Sequence, residues 1–169
     1  MYAKNTVEFV TVAVEYCVYL EHAGEKGFEN LVGVMQKLLP LLYLKTALVE
    51  KPLPATSDNP AAFVTEEAYE KVKSDIERIL GANDAFFDGE TPASVSENLC
   101  DIYQDLKDFT ECYRQGHEDV TADALFYCLE NFETYWGRKL IHTQLALHDI
   151  MYGEGKKNDF EDADLQGDD

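Results

Sequence analysis

The sequence predicts an all-α protein, a single-domain bundle of five or six helices over residues 1–152, with a disordered acidic tail at 153–169. Three observations lead to this prediction. Apolar residues recur at steps of three and four along most of the chain. Capping residues and glycines stand at the ends of these apolar stripes. No stretch shows convincing strand alternation.

The first predicted helix runs from about Thr6 to His22 and is apolar on most of its circumference. A helix of this kind packs against several neighbours, so we expect it at the centre of the bundle. The second helix runs from Phe28 to about Glu50 and contains Pro40. Because proline lacks a backbone donor and clashes with the preceding turn, we expect a kink or a break there.

The third helix is flanked by two predicted loops. Residues 51–64 hold three prolines and several turn formers. Thr65 can then cap the free amides of the helix, and Gly81 ends it. Residues 81–93 form the second predicted loop.

The fourth and fifth helices have the clearest boundaries. Ser94 and Glu97 form a capping box, and Gly116 suits the position after the last helical residue. The fifth helix is predicted to begin near Asp119 or Thr121. The packing stripe of the fourth helix is Val95, Leu99, Ile102, Leu106, Phe109 and Tyr113.

The last stripe passes through Phe132 and Trp136 and resumes after Gly137. This pattern predicts one long helix with a weak point at the glycine, or two helices nearly in line. Glycine inside a helix costs roughly 1 kcal/mol relative to alanine. Its place beside the single tryptophan therefore predicts that another backbone approaches closely, and that Trp136 belongs to the core.

The charge of the chain excludes several kinds of partner. Fourteen basic and 33 acidic residues give a net charge of −19. Such a surface repels the phosphates of nucleic acids and anionic membranes, because binding to both depends on lysine and arginine. We therefore expect no nucleic-acid or membrane partner. The charge is typical of a soluble protein, and it also suits a cationic partner.

The motifs of common enzymes and cofactor sites are missing from the sequence. The four cysteines lie far apart and lack the short spacing of a zinc site, so we expect reduced packing thiols. No nucleophile elbow, Walker pattern or glycine-rich phosphate loop occurs. We therefore predict no catalytic residue, no cofactor-binding residue and no cofactor. The sequence leaves enzymatic activity open but favours a non-enzymatic protein.

The N-terminal stretch indicates in which cellular compartment the protein lies. It is apolar, but it carries Glu8 and Glu15 at helical spacing, where the hydrophobic region of a signal peptide would not hold them. The longest apolar runs are too short to span a bilayer. We expect a cytoplasmic protein.

One group of residues suggests a site. Acidic residues recur at steps of four, four and three on one side of the fourth helix, and these are Glu97, Asp101, Asp105 and Asp108. Carboxylates from facing helices can hold divalent metals. The candidate ligands of such a metal or small-molecule site are Asp101, Asp105, Glu130 and Glu133. The alternatives are a solvated acidic face and a protein-binding face.

Two segments resemble a known family. SVSENLCDIYQDLKDF at 94–109 and NFETYWGRKLIHTQLALH at 131–148 together resemble the paired signature of a bacterial domain of unknown function, the family numbered 5063. The order of parts is similar over the whole chain, but only the C-terminal half is specific, and residues 51–93 depart from the pattern. The resemblance implies a helical fold and no assigned activity. The positions that define it are Asp101, Tyr103, Asp105, Trp136 and Gly137.

Three hypotheses for the function remain. The leading one is a non-enzymatic cytosolic helical protein that binds or regulates another protein, and a basic protein partner would suit the charge. The alternative is the carboxylate-lined metal or small-molecule site between the two C-terminal long helices. The third is an acidic mimic of nucleic acid that blocks a DNA-binding protein.

Overall fold

The computed structural model describes residues 3–153, so the predicted acidic tail lies outside the described residues except for Gly153. Residues 3–153 form six α-helices, a π-helical turn and a two-stranded sheet, which confirms the all-α prediction with five or six helices. The helices are α1 Lys4–Glu21, α2 Phe28–Ala47, α3 Glu66–Leu80, α4 Val95–Gln115, α5 Glu118–Asn131 and α6 Gly137–Tyr152. No helix within 3–153 combines the length and the apolarity needed to cross a membrane.

The predicted helix ends on α3 and α4 are confirmed. The Thr65 side chain accepts a hydrogen bond from the backbone of Ala68 at 3.1 Å. The Ser94 side chain accepts one from the backbone of Glu97 at 3.2 Å. Gly116 follows α4 with φ of +79°, in the left-handed region that favours glycine.

Helix α1 lies between α2 and α4, and α6 packs against the same two helices. These four helices enclose the core, while α3 and α5 pack on α4. Phe9, Tyr16 and Leu20 of α1 are fully buried, as its apolar circumference predicts. The hydroxyl of Tyr16 donates to the carbonyl of Leu99 on α4 at 2.6 Å, which satisfies the phenol inside the core.

Helix α2 continues through Pro40, so the predicted break is wrong, while the predicted kink stays a prediction. The proline removes one backbone donor from the helix. Its neighbours Leu39 and Leu42 are fully buried in the core. Tertiary packing of this apolar face holds the helix together across the missing hydrogen bond.

A β-hairpin occupies most of the second predicted loop, so the prediction of a loop without strands is wrong. Strand β1, Ala85–Asp88, pairs antiparallel with β2, Thr91–Ser94. Gly89 has φ of +63° in the tight turn between them. Each strand is only four residues long, too short for alternation to be visible in the sequence.

The segment Phe132–Trp136 is a π-helical turn that joins α5 to α6. Trp136 is fully buried, and its indole N–H donates to the carbonyl of Cys128 at 3.1 Å. The expected close approach at Gly137 exists, but it does not come from another backbone. A Cβ on Gly137 would lie 2.5 Å from the carbonyl oxygen of Phe132 and 2.9 Å from its ring. The wide turn brings the residue five positions earlier against the glycine, so the constraint is internal to the helix.

Replacement of Trp136 by alanine should lower the free energy of unfolding by about 3–5 kcal/mol, because it leaves a large cavity in the core. It also leaves the carbonyl of Cys128 without the indole donor. Urea denaturation measures the loss. Phe87→Ala is the control, since that ring is 71% exposed and should change stability little. Equal losses in the two variants would contradict the core role of the indole.

Candidate functional site

Two rows of polar side chains face each other where α4 meets the α5–α6 pair. Asp101 and Asp105 stand one turn apart on α4, and Asn131, Tyr135 and Lys139 stand at steps of four on the opposite side. The amide of Asn131 donates to Asp105 at 3.3 Å. Tyr135 donates to Asp101 at 3.2 Å, and Lys139 donates to it at 2.6 Å. The rows bring polar parts of both signature segments into one region.

Both oxygens of the Asp101 carboxylate accept hydrogen bonds. Besides Tyr135 and Lys139, it accepts a hydrogen bond from the hydroxyl of Tyr69 on α3 at 2.6 Å. The ammonium of Lys139 also lies 4.5 Å from the centre of the Tyr135 ring. Burial and the hydrogen bond to Asp101 raise the pKa of Tyr69, so this phenol stays a donor. This carboxylate therefore ties α3, α4 and α6 together.

The loop at 51–64, which we call the strap, is held at its far end by Asp108 of α4. This carboxylate accepts hydrogen bonds from the backbone amides of Phe63 at 2.7 Å and Val64 at 3.0 Å. A loop segment leaves backbone donors without ladder partners, and these bonds satisfy two of them. Asp108, the last member of the acidic row, therefore holds the strap against α4.

The middle of the strap is held by Asp123 of α5, which sequence reasoning missed. Its carboxylate accepts from the backbone amides of Ala55 at 2.6 Å and Thr56 at 3.1 Å, and from the Thr56 hydroxyl at 2.5 Å. The hydrogen bonds from Thr56 and Ala55 lower the pKa of Asp123, so it stays ionised. A carboxylate inside the apolar run ADALF at 122–126 was the available signal in the sequence.

The beginning of the strap is held by Lys51. Its ammonium lies 2.5 Å from a carboxylate oxygen of Glu130 and 2.9 Å from one of Glu133. Two of the predicted ligands are therefore bridged by a cation from the chain itself. These hydrogen bonds raise the pKa of Lys51, which keeps the bridge charged.

The four candidate ligands do not meet at one point. Asp101 faces Lys139, Asp105 faces Asn131, and the two glutamates face Lys51, as described above. Within the part of the chain that the structure describes, no group of three or more His, Cys, Asp or Glu residues could hold a metal ion. The metal site stays a prediction. Metal analysis of protein purified without chelator tests it, together with the melting temperature in Mg²⁺, Mn²⁺ and Fe²⁺.

A cleft of about 240 Å³ lies between the strap, α4 and α5. Pro60 and its neighbours in the strap line one side, and Phe109 and Ala124 provide apolar wall. Asp105 and Asn131 are the polar pair that lines it beside Asp108. The strap therefore turns a helix–helix groove into a defined pocket.

Asp105 differs from Asp101, which pairs with Lys139, and from Asp108, which accepts two backbone amides. Among residues 3–153 its carboxylate has the hydrogen bond from Asn131 and no cation. Burial raises its pKa to about 6, and the charges of Asp108 and Asp101 add to the effect, while the hydrogen bond from Asn131 opposes it. A carboxyl with this pKa gains or loses its proton near neutrality. In this cleft it can accept a cation or exchange a proton with a ligand.

Comparisons with known proteins agree with the fold. A family model described as a domain of unknown function (DUF5063) matches residues 1–153. The crystal structure of protein BF1032 from Bacteroides fragilis is similar, with 41% identity and a TM-score of 0.85. The match covers 89% of this chain and 94% of that one. No curated protein matches the sequence.

Asp105→Asn should stabilise the protein at neutral pH. A carboxyl whose pKa stands near 6 instead of 3.8 costs the folded state about 2–3 kcal/mol there. Below about pH 3 the carboxyl is protonated in both states and costs nothing. The cost grows as the pH rises from about 3 to about 6, because only the unfolded chain has then released the proton.

Urea denaturation between pH 4 and pH 7.5 measures this difference. The gain in stability from Asp105→Asn should increase up to about pH 6.5 and then stay constant. Asp149→Asn is the matched control, because it removes one charge at an exposed position on α6. A gain that does not change with pH, or the same gain in both variants, would contradict the burial of an unneutralised carboxyl.

Proposed function

The chain belongs to the family described as a domain of unknown function (DUF5063), and we propose that it is a non-enzymatic binding protein whose cleft at Asp105 accepts a cationic side chain of a protein partner. The single observation that carries this proposal is the unmatched charge of Asp105. Asp101 and Asp108, on either side of it, are satisfied by a lysine and by backbone amides. Asp105 has one long hydrogen bond from Asn131.

The chemistry of the cleft fits a lysine or an arginine. A part-buried carboxylate is stabilised most by an opposite charge, and a cation in the cleft would stabilise the ionised form of Asp105. The apolar wall at Phe109 and Ala124 suits the methylene groups that carry the charge. The Asn131 amide oxygen is a second acceptor for the same cation.

The size of the cleft supports a single side chain as the occupant. Drug-sized ligands occupy pockets of about 300–1,000 Å³. A cleft of about 240 Å³ is below that range. One side chain of a larger partner, anchored in the cleft while the rest of the partner lies outside, suits this volume.

The charge of the whole chain supports a basic partner. A net charge of −19 attracts basic surfaces and accelerates their approach. It disfavours nucleic acids and anionic membranes. We infer a cytoplasmic protein that recognises a basic segment of another cytoplasmic protein.

An NMR titration tests the proposal with three small probes of one backbone: N-acetyl-lysine methylamide, N-acetyl-arginine methylamide and N-acetyl-norleucine methylamide. The two cationic probes should bind with a Kd of about 1 mM and shift the resonances of Asn131 and of strap residues 59–62. The uncharged norleucine probe should bind at least about tenfold more weakly. The affinity of the cationic probes should rise as the pH increases from 5 to 7, because Asp105 must lose its proton first.

Asp105→Asn should lower the affinity for the two cationic probes to that for the norleucine probe. Asp149→Asn should leave the affinity for all three probes unchanged. Stability is measured in parallel, so loss of binding cannot be confused with unfolding. Equal affinity of the lysine and norleucine probes for the wild-type protein would overturn the proposal. Unchanged lysine binding in Asp105→Asn would overturn it as well.

A further inference from the structure

Helix α2 carries an apolar row on its solvent side. Leu41, Leu44 and Leu48 recur at steps of three and four on the side opposite the core, and they are 42%, 52% and 47% exposed. The buried face of the same helix holds Leu31, Met35 and other fully buried residues. Core packing within the chain therefore does not account for the outer leucines, which we call the α2 row.

Opposite charges stand at the two ends of the α2 row. Lys37 lies one turn before Leu41, and Glu50 lies two residues after Leu48. Both side chains are exposed, and neither has an ion-pair partner among the described residues. Lys37 stands about 10 Å before Leu44 along the helix, at 1.5 Å per residue, and Glu50 follows Leu48 beyond the end of the helix at Ala47.

We propose that the α2 row is the interface of a symmetric homodimer, in which two copies pack α2 against α2 antiparallel about an axis near Leu44. A twofold axis reverses the order of charges in the second copy. Lys37 of each copy then meets Glu50 of the other, and the leucines between them pack together. The row carries opposite charges at its two ends, which favours a second copy of this chain as its partner.

The charge of α2 also suits contact between copies. Two chains of net charge −19 repel each other, and the repulsion is smallest where each surface is least acidic. Helix α2 holds Glu29 as its only acid against Lys37 and Lys45, and Lys45 is paired with Glu8 of α1, so within residues 3–153 Lys37 is the unpaired cation of this helix. At physiological ionic strength, screening over about 8 Å leaves the local charges dominant.

Two other helices expose apolar residues but present weaker interfaces. Val7, Val14 and Val18 on α1 are shorter side chains, and the lysine near their start, Lys4, pairs with Glu8 inside the chain. Helix α6 exposes Ile141, Leu145 and Tyr152, and the polar side chain of His148, which contacts the Tyr152 ring, interrupts this row. Positions on these two helices provide matched controls for the test.

Sedimentation velocity of the full chain, over a range of concentrations up to several hundred micromolar, tests the proposal. The wild-type protein should sediment as a dimer with a Kd in the micromolar range. Leu44→Glu should raise the Kd at least about a hundredfold, because it places two like charges at the axis. Val14→Glu and Leu145→Glu add the same charge on α1 and α6 and should leave the Kd within about twofold of the wild type.

Exchange of the terminal charges tests the antiparallel arrangement. Lys37→Glu and Glu50→Lys should each raise the dimer Kd about tenfold, and the double variant Lys37→Glu/Glu50→Lys should restore it. Lys26→Glu changes the net charge as Lys37→Glu does, but at an exposed site just before α2 begins and away from the α2 row, and it should have no such effect. A monomeric wild type, a Leu44→Glu dimer as tight as wild type, or a double variant that fails to restore binding would each overturn the proposal.

Discussion

The structure depends on how the carboxylates of α4 are satisfied. An acidic residue can lie at a helix interface only where donors or cations meet it, because an unpaired buried charge is very costly. Asp101 recruits Lys139, Tyr135 and Tyr69, which fixes α3 and α6 on either side of α4. Asp108 recruits backbone amides, which fixes the strap. The acidic row that suggested a metal site in the sequence thus joins the elements that surround it.

The π-helical turn allows the continuous α5–α6 segment to place side chains both in the core and in the polar row that faces α4. A step of four residues overshoots one α-helical turn by about 40°, so side chains at steps of four drift around a regular helix. The wider π turn uses more residues per turn and compensates for this drift. Asn131 and Lys139 therefore both reach α4, while Trp136 points into the core. Gly137 is required where the wide turn brings the carbonyl of Phe132 close.

Local signals in the sequence were sufficient for the helices and for the ends of α3 and α4, whereas α2 ends at Ala47 and not at about Glu50 as predicted. Caps such as Ser94 and Thr65 act within a few residues, and the apolar stripes report burial directly. The attachment of the strap could not be predicted, because Asp123 and Ala55 are 68 residues apart and no local pattern links them. The hairpin was missed because four-residue strands are too short to show a period. The acidic row was identified, but its spacing cannot reveal which carboxylates meet a lysine, an amide or an open cleft.

At position 105 the residue that would give the higher stability is not the residue that is present. Asparagine at this position has nearly the same shape, could keep a hydrogen bond with Asn131, and avoids the cost of a part-buried charge. A carboxylate that lowers stability and has no cation beside it within residues 3–153 is more readily explained by a partner outside the chain. The strap adds to this argument. Its anchors Asp108 and Asp123 hold it in a position that closes one side of the cleft but leaves Asp105 without a cation. The fold supplies a lysine to Asp101 and backbone amides to Asp108 and Asp123, and among residues 3–153 it leaves Asp105 with the Asn131 amide alone. A binding site for a cation requires a carboxylate that is available in this way.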